Sequence, residues 1–137
     1  MKVSRRILVV DDEPDICMML EKVLRENAFT VNSYVDPILA LERFNPGSYD
    51  LVILDIKMQE LNGFELYREI RRLDKRVEIC FLTAGEMYYG IYSDIFSSLP
   101  ANCFIRKPVE NKELLKRINE ILIEQGEYYN GHNMLGI

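Results

Sequence analysis

The chain has 137 residues, enough for one domain with a sizeable core, and its 48% hydrophobic and 28% charged residues are typical of a globular protein. A formal net charge of -5 and a sequence pI near 5.0 argue against a nucleic-acid-binding surface, which would be basic. The cysteines Cys17, Cys80 and Cys103 show no disulfide or metal-ligand spacing, and no apolar run is long enough to span a membrane, so we expect a cytoplasmic protein.

The first half of the chain predicts three strands separated by two helices. Apolar runs at residues 7–10 and 51–54 are typical of strands buried on both faces, and residues 29–35 alternate as a half-buried strand does. Pro14 and Asp36-Pro37 mark the first turns of the helices, where the missing amide hydrogen of proline is not needed. The first helix is expected to turn five apolar side chains inward at helical spacing: Ile16, Met19, Leu20, Val23 and Leu24.

The second half continues the alternation of helix and strand. Residues 63–73 predict a helix, and residues 77–82 predict a fourth strand. The aromatic-rich residues 86–98 are compatible with an amphipathic helix, residues 103–106 predict a short fifth strand, and the last helix extends from about residue 110 to 125. Five strands that alternate with five helices predict a doubly wound, five-stranded parallel sheet with helices on both faces.

We expect one domain over residues 5–125, followed by a flexible C-terminal tail over residues 126–137. The tail contains Gly126, Gly131 and the only histidine, His132. Catalysis by a buried imidazole is therefore not expected. Because no effector domain follows, the output is expected to pass through a separate partner.

Polar side chains stand at the carboxyl ends of four predicted strands. Asp11 and Asp12 follow the first strand, Asp55 the third, Thr83 the fourth and Lys107 the fifth. Because these strand ends lie on one rim of a parallel sheet, the side chains can converge. Three carboxylates around one point repel each other unless a cation joins them, and oxygen ligands favour Mg²⁺. A nearby hydroxyl and ammonium would complete a site for a phosphoryl group.

An ordered set of short motifs lies at these strand ends. The set comprises Val10-Asp11-Asp12-Glu13, Leu54-Asp55-Ile56-Lys57-Met58, Asn62-Gly63, Thr83-Ala84 and Arg106-Lys107-Pro108. It resembles the receiver domain of two-component response regulators, a CheY-like, flavodoxin-like fold, over residues 5–125. Each motif alone is weak, but their order along the chain makes the resemblance specific.

The resemblance implies that Asp55 accepts a phosphoryl group from a sensor histidine kinase or a phosphotransfer protein of a phosphorelay. Asp12, Asp55 and the backbone carbonyl of Lys57 would bind Mg²⁺ directly, and Asp11 would act mainly through water. Lys107 would pair with the phosphoryl oxygens. Beyond its own phosphorylation and dephosphorylation, the chain is not expected to be an enzyme.

The resemblance also implies a switch. Thr83 would donate its hydroxyl to a phosphoryl oxygen, and Phe104 would turn inward when Thr83 moves. The Lys107-Pro108 bond resembles one that is cis in the family. The face formed by the fourth helix, fifth strand and fifth helix would then bind a separate effector protein or a second copy of the chain, with no direct contact to nucleic acid or membrane.

Three other classes of protein share some of these features. A haloacid dehalogenase-type phosphatase needs a second aspartate two residues after the first, where this chain has Lys57. A flavin-binding module needs a phosphate-cradling loop, and Asp11 and Asp12 would repel that phosphate. A receiver-like interaction scaffold that is not phosphorylated is the nearest alternative.

Two interpretations remain open for Lys57, for the aromatic stretch 87–92 and for Glu13. The Lys57 side chain either leans on the phosphoryl group or points to solvent. The aromatic stretch 87–92 is either a partner-binding patch, which we favour, or part of the core. Glu13 either supports the site or favours the helix N-terminus electrostatically, and the second interpretation is preferred.

Overall fold

The computed structural model describes residues 4–84, 93–100 and 103–135. Within these residues, five strands and five helices alternate along the chain. The strands are β1 (Arg6–Val10), β2 (Thr30–Tyr34), β3 (Leu51–Asp55), β4 (Glu78–Thr83) and β5 (Phe104–Arg106). The helices are α1 (Pro14–Glu26), α2 (Pro37–Glu42), α3 (Gly63–Leu73), α4 (Ser93–Ser98) and α5 (Asn111–Leu135).

The five strands form one parallel sheet in the order β2-β1-β3-β4-β5. Val10 of β1 lies opposite Leu54 of β3, and Asp55 at the end of β3 lies opposite Leu82 of β4. The carboxyl ends of the strands therefore stand almost level along one rim. The predicted fold, a five-stranded parallel sheet, is confirmed.

Two apolar layers cover the sheet, one on each face. Ile7 and Val9 of β1 belong to the layer that includes the apolar side chains of α1 and α5, whereas Leu8 and Val10 belong to the layer with those of α2 and α3. This division follows from the strand period of two, which turns successive side chains to opposite faces. All three cysteines are buried free thiols, as predicted.

Local signals in the sequence begin the helices where they were expected. The Asp36 side chain accepts hydrogen bonds from the backbone amides of Ile38 and Leu39 at the start of α2. Asn62 and Glu65 form a reciprocal capping box at the start of α3, which satisfies amides that have no partner within the helix. These caps fix the point at which the chain turns back from the rim of the sheet.

Two predictions about helices were wrong. The last helix does not end near residue 125 but continues to Leu135. Gly126 and Gly131 do not stop it, because a glycine inside a helix costs only about 1 kcal/mol relative to alanine. Met19, predicted to face inward, is 38% exposed on α1. The flexibility of residues 126–137 stays a prediction.

Several other expectations can be compared with the described residues. The Lys107-Pro108 peptide bond is cis, as expected. Helix α4 spans Ser93–Ser98, and the first part of its predicted range, including the aromatic stretch 87–92, lies outside the described residues. Within the part of the chain that is described, no helix has the length and apolar character needed to cross a membrane.

Candidate functional site

Three charged side chains from separate strand ends meet at the rim of the sheet. The Lys107 ammonium donates a hydrogen bond to Oδ2 of Asp11 at 2.8 Å and lies 3.4 Å from Oδ1 of Asp55. Asp11 is completely buried and Asp55 is 4% exposed. The convergence predicted from the strand ends is therefore present for these residues.

Backbone hydrogen bonds between neighbouring strands hold the site residues at this rim. The amide of Asp11 donates to the carbonyl of Tyr34 at the end of β2. Just beyond Asp55, the amide of Ile56 donates to the carbonyl of Leu82 in β4. The amide of Lys107, which follows β5, donates to the carbonyl of Thr83 at 2.6 Å and so places the lysine beside the end of β4. The positions of these side chains are thus set by the sheet itself.

Three carboxylates at the rim have the composition of a divalent-cation site. Oxygens of Asp11, Asp12 and Asp55 all lie within 4.8 Å of one another. An all-oxygen, negatively charged set suits a hard cation such as Mg²⁺, which commonly binds one or two carboxylates and keeps several waters. The donor chemistry of these residues therefore fits the predicted metal. The side chain of Lys57 is exposed, so it does not contribute to this buried cluster.

The buried charges shift the protonation equilibria of Asp55 and Lys107. Burial, and then the negative charge of Asp11, raise the pKa of Asp55 from an ordinary value of 3.8 to about 7, although Lys107 opposes the shift. Burial alone would lower the pKa of Lys107, but its hydrogen bond to Asp11 and the nearby carboxylates raise it. The lysine is therefore held as an ammonium ion. Positive charge beside Asp55 favours its nucleophilic carboxylate form.

Thr83 and Phe104, the predicted switch residues, lie on neighbouring strands. Thr83 is buried, and with Ile56, Lys57 and Ala84 it lines an open cavity of about 270 Å³. This cavity adjoins the end of β3 and offers space for a tetrahedral group. The half-buried ring of Phe104 stacks on Phe81, with centroids 5.3 Å apart.

Gly63 allows the start of α3 to approach the backbone beside Asp55. Its amide donates to the carbonyl of Ile56 at 2.8 Å. A Cβ atom at this position would collide with the carbonyl oxygen of Asp55 and the Cα of Ile56. The Asn62-Gly63 motif therefore combines a helix cap with a close approach that no larger residue permits.

Glu13 contacts the site, which agrees with the interpretation of the sequence that was not preferred. Its Oε1 lies 3.4 Å from Nζ of Lys107, whereas the preferred interpretation placed its charge at the N-terminus of α1 alone. The two residues are 94 positions apart. The only signal in the sequence was the position of Glu13 directly after Asp12, which is too general to identify a partner.

Comparison with protein families gives one family model that matches residues 7–119, described as the response regulator receiver domain. A curated relative, the transcriptional regulatory protein DltR of Streptococcus agalactiae, is 34% identical over 113 residues, which are 82% of this chain and 50% of that protein. The chain thus spans about half the length of the curated relatives it matches.

Solved structures give the same result at the level of the fold. Response regulator protein TrrA from Thermotoga maritima, in complex with Mg(2+)-BeF, is 36% identical with a TM-score of 0.68, covering 85% of this chain and 98% of that one. A CheY-like receiver domain protein from Methanospirillum hungatei is 26% identical with a TM-score of 0.74, covering 92% of this chain and 99% of that one. Each match therefore covers at least 85% of this chain.

Proposed function

Because this chain belongs to the family of response regulator receiver domains, we propose that Asp55 is the residue on which it is phosphorylated. Phosphorylation of an aspartate with Mg²⁺, within a two-component signalling system, is the general function of this family. The specific acceptor in this chain is inferred from the site. Of the acidic residues at the rim, Asp55 adjoins both Lys107 and the cavity that Thr83 lines.

One observation carries this assignment. Lys107 approaches Asp11 and Asp55 at the same time, although the three residues stand at the ends of three different strands. A structural ion pair needs only one carboxylate for each lysine. A second buried carboxylate at 3.4 Å, with its pKa raised to about 7, costs stability and is typical of a functional site.

The proposed reaction is a displacement at phosphorus. A carboxylate oxygen of Asp55 attacks the phosphorus of a phosphohistidine, a P–O bond forms as the P–N bond breaks, and the imidazole nitrogen leaves with the bonding electron pair. Asp11, Asp12 and Asp55 would hold a Mg²⁺ ion, which supplies positive charge to the transferring group. Lys107 would bind a phosphoryl oxygen. The later attack of water on phosphorus would break the bond to Asp55, release inorganic phosphate and restore the carboxylate.

Thr83 and Phe104 are proposed to report the phosphorylated state. Thr83 lines the cavity beside Asp55, and the amide of Lys107 is bonded to its carbonyl, so a movement of Thr83 toward a phosphoryl oxygen would be transmitted to the chain after β5. Phe104 stacks on Phe81 of β4, which links the ring to the same pair of strands. The change would alter the face formed by α4, β5 and α5.

The partners are proposed from chemistry and from the family. A sensor histidine kinase or a phosphotransfer protein would supply the phosphoryl group. The curated relatives, of which the matched residues form about half, are named transcriptional regulatory proteins. An effector that reads the α4–β5–α5 face, or a second copy of this chain, would receive the signal. Capture of partners by the chain with and without beryllium fluoride and Mg²⁺ tests this proposal, and identical captures would contradict it.

Labelling with a small phosphodonor tests the acceptor. Wild-type protein incubated with acetyl phosphate and Mg²⁺ should gain the mass of one phosphoryl group, and hydroxylamine should remove it, because an acyl phosphate is a mixed anhydride. Asp55→Asn should gain none. Asp50→Asn is the matched control, since Asp50 immediately precedes β3, at the opposite end of that strand from Asp55.

Two results would contradict the assignment. An unlabelled wild type would favour a receiver-like scaffold that is not phosphorylated. A label that persists in Asp55→Asn would place the acceptor at another residue.

The role of Thr83 is tested separately with Thr83→Val, which keeps the shape of the side chain and removes the hydroxyl. This variant should still be labelled but should lose the change in partner capture.

A further inference from the structure

Glu13 touches the proposed phosphorylation machinery from outside the buried cluster. Its side chain is 64% exposed, yet Oε1 lies 3.4 Å from the ammonium of Lys107, which is itself only 14% exposed. The same ammonium approaches Asp11 and Asp55. Lys107 thus faces three carboxylates, of which only Glu13 is open to solvent.

Capping of α1 does not explain the position of this side chain. Glu13 occupies the N-cap position, but its carboxylate accepts no hydrogen bond from the first turn of the helix as described. Its own amide donates to Oδ1 of Asp11 at 3.0 Å, which fixes the Glu13 backbone against the buried cluster. The side chain is therefore directed to Lys107 rather than to the helix end.

The contact with Glu13 competes with the proposed binding of a phosphoryl oxygen by Lys107. An ammonium has three hydrogens to donate, and in the unphosphorylated protein three carboxylates surround it. A phosphoryl group on Asp55 adds further acceptors on the inner side of the lysine. To bind them, Lys107 has to move inward and give up its outermost partner, which is Glu13.

We propose that Glu13 is a positioning residue that restrains Lys107 in the unphosphorylated protein and so slows phosphorylation of Asp55. This inference rests on the proposed roles of Asp55 and Lys107. The restraint is reversible, because Glu13 and Lys107 line an open cavity of about 380 Å³ and the contact can separate without repacking the core. Glu13 does not itself touch the reacting atoms.

The restraint should affect the rate of phosphorylation more than the rate of hydrolysis. Since the contact exists before phosphorylation and is lost when Lys107 binds the phosphoryl group, it stabilises the reactant of the forward step only. Glu13→Gln should raise the rate of labelling by acetyl phosphate about two- to fivefold, the range expected for a mostly exposed ion pair. The hydrolysis rate of the phosphorylated protein should change much less.

A control separates this effect from general electrostatics, because removing any negative charge near the site attracts an anionic donor. Asp15→Asn removes one exposed charge from the first turn of the same helix and leaves Lys107 untouched. Labelling rates of wild type, Glu13→Gln and Asp15→Asn are compared at several salt concentrations. Glu13→Gln should remain faster than Asp15→Asn at high salt, where long-range attraction is screened.

A second measurement follows Lys107 itself in the unphosphorylated protein. The ¹⁵N resonance of its side-chain ammonium, assigned by its loss in Lys107→Arg, should shift in Glu13→Gln and stay unchanged in Asp15→Asn. Unfolding midpoints of the three proteins show whether each variant is folded. A general structural role would change the midpoint and would not single out this resonance.

The outcomes distinguish the two proposals. A labelled wild type with equal rates for Glu13→Gln and Asp15→Asn, or an unshifted Lys107 resonance, would overturn the role of Glu13 alone. A wild type that takes no label would overturn the proposed acceptor, and the role of Glu13 with it. Faster labelling, unchanged hydrolysis and a shifted lysine resonance together would support the inference.

Discussion

At the residue scale, the Asp55 carboxyl is placed where its ionisation works against folding. Burial and the charge of Asp11 raise the pKa of Asp55 to about 7, so the folded protein holds this proton more tightly than the unfolded chain does. The stabilising contribution is complete below the ordinary value of 3.8 and is lost as pH rises through about 7. The ionised form of Asp55 is thus disfavoured in the folded protein, and a cation bound beside it would relieve this cost.

This linkage predicts a pH dependence of stability in the absence of divalent cations. Between pH 5 and 8, the free energy of unfolding of wild type should fall by roughly 2 kcal/mol more than that of Asp55→Asn. Urea unfolding in the presence of a chelator measures both. His132 is shared by the two proteins and cancels in the comparison. Parallel pH profiles would show that Asp55 is not destabilised by burial.

Gly63 gives a second prediction at this scale. Gly63→Ala should destabilise the fold by about 1–3 kcal/mol, because a Cβ atom would displace the backbone of Asp55 and Ile56. Labelling by acetyl phosphate should slow as well. Gly47→Ala is the control: Gly47 has a φ of 82° with open space around it, so alanine there costs backbone strain only. Equal labelling rates in the two variants would contradict the close-approach argument.

At the element scale, Asp74 joins two loops at the far end of the sheet. It follows α3, and its carboxylate accepts hydrogen bonds from the amides of Gly47, Arg76 and Val77. Burial alone would raise the pKa of Asp74, but these bonds outweigh it and the pKa is lowered. The loop before β3 and the loop before β4 are therefore fixed to each other through one side chain.

Substitutions at Asp74 should have graded effects on stability. Asp74→Ala loses all three bonds and should cost about 2–4 kcal/mol, whereas Asp74→Asn loses mainly the bond from Gly47 and should cost roughly half as much. Because the pKa of Asp74 is lowered, its contribution is present above the ordinary pKa of the group and is lost as pH falls through the lowered value. Chemical unfolding at pH 7 and in acid measures both effects. Equal costs for the two variants would contradict this assignment.

At the scale of the whole molecule, the carboxylates at the rim of the sheet carry more negative charge than the neighbouring Lys107 neutralises. The carboxylates of Asp11, Asp12 and Asp55 come from the ends of β1 and β3, and the ammonium of Lys107 contacts those of Asp11 and Asp55. A cation that binds only the folded arrangement stabilises it by mass action. Cation binding and folding would therefore be coupled at this site.

Mg²⁺ should raise the free energy of unfolding of the wild type by about 2.7 kcal/mol at a hundred times the dissociation constant, and the unfolding midpoint should rise with it. The effect should weaken from pH 8 to pH 5, since protons compete for Asp55. Asp12→Asn should reduce it, and Asp15→Asn, an exposed carboxylate outside the cluster, should not. Thermal unfolding with and without Mg²⁺ measures this, and a wild type that does not respond would argue against the metal site.

Much of the fold and of the site followed from local sequence. Apolar runs such as residues 51–54 predicted buried strands, and Pro14 and Asp36 predicted helix starts. Both signals are local, because the spacing of buried side chains and the capping of a helix depend on residues that are close in the sequence. The strand ends then placed Asp11, Asp55 and Lys107 on one rim, since parallel strands end together. These positions depended only on element order and type.

The contacts that join distant elements were decided by the tertiary structure. Glu13 meets Lys107 across 94 residues, and Asp74 meets Gly47 across 27, and no periodicity or cap encodes either pair. The length of α5 also escaped prediction, because glycine weakens a helix without ending it. Local patterns determine which element forms and which face it buries, whereas the distance between two side chains on different elements is set only when the elements pack.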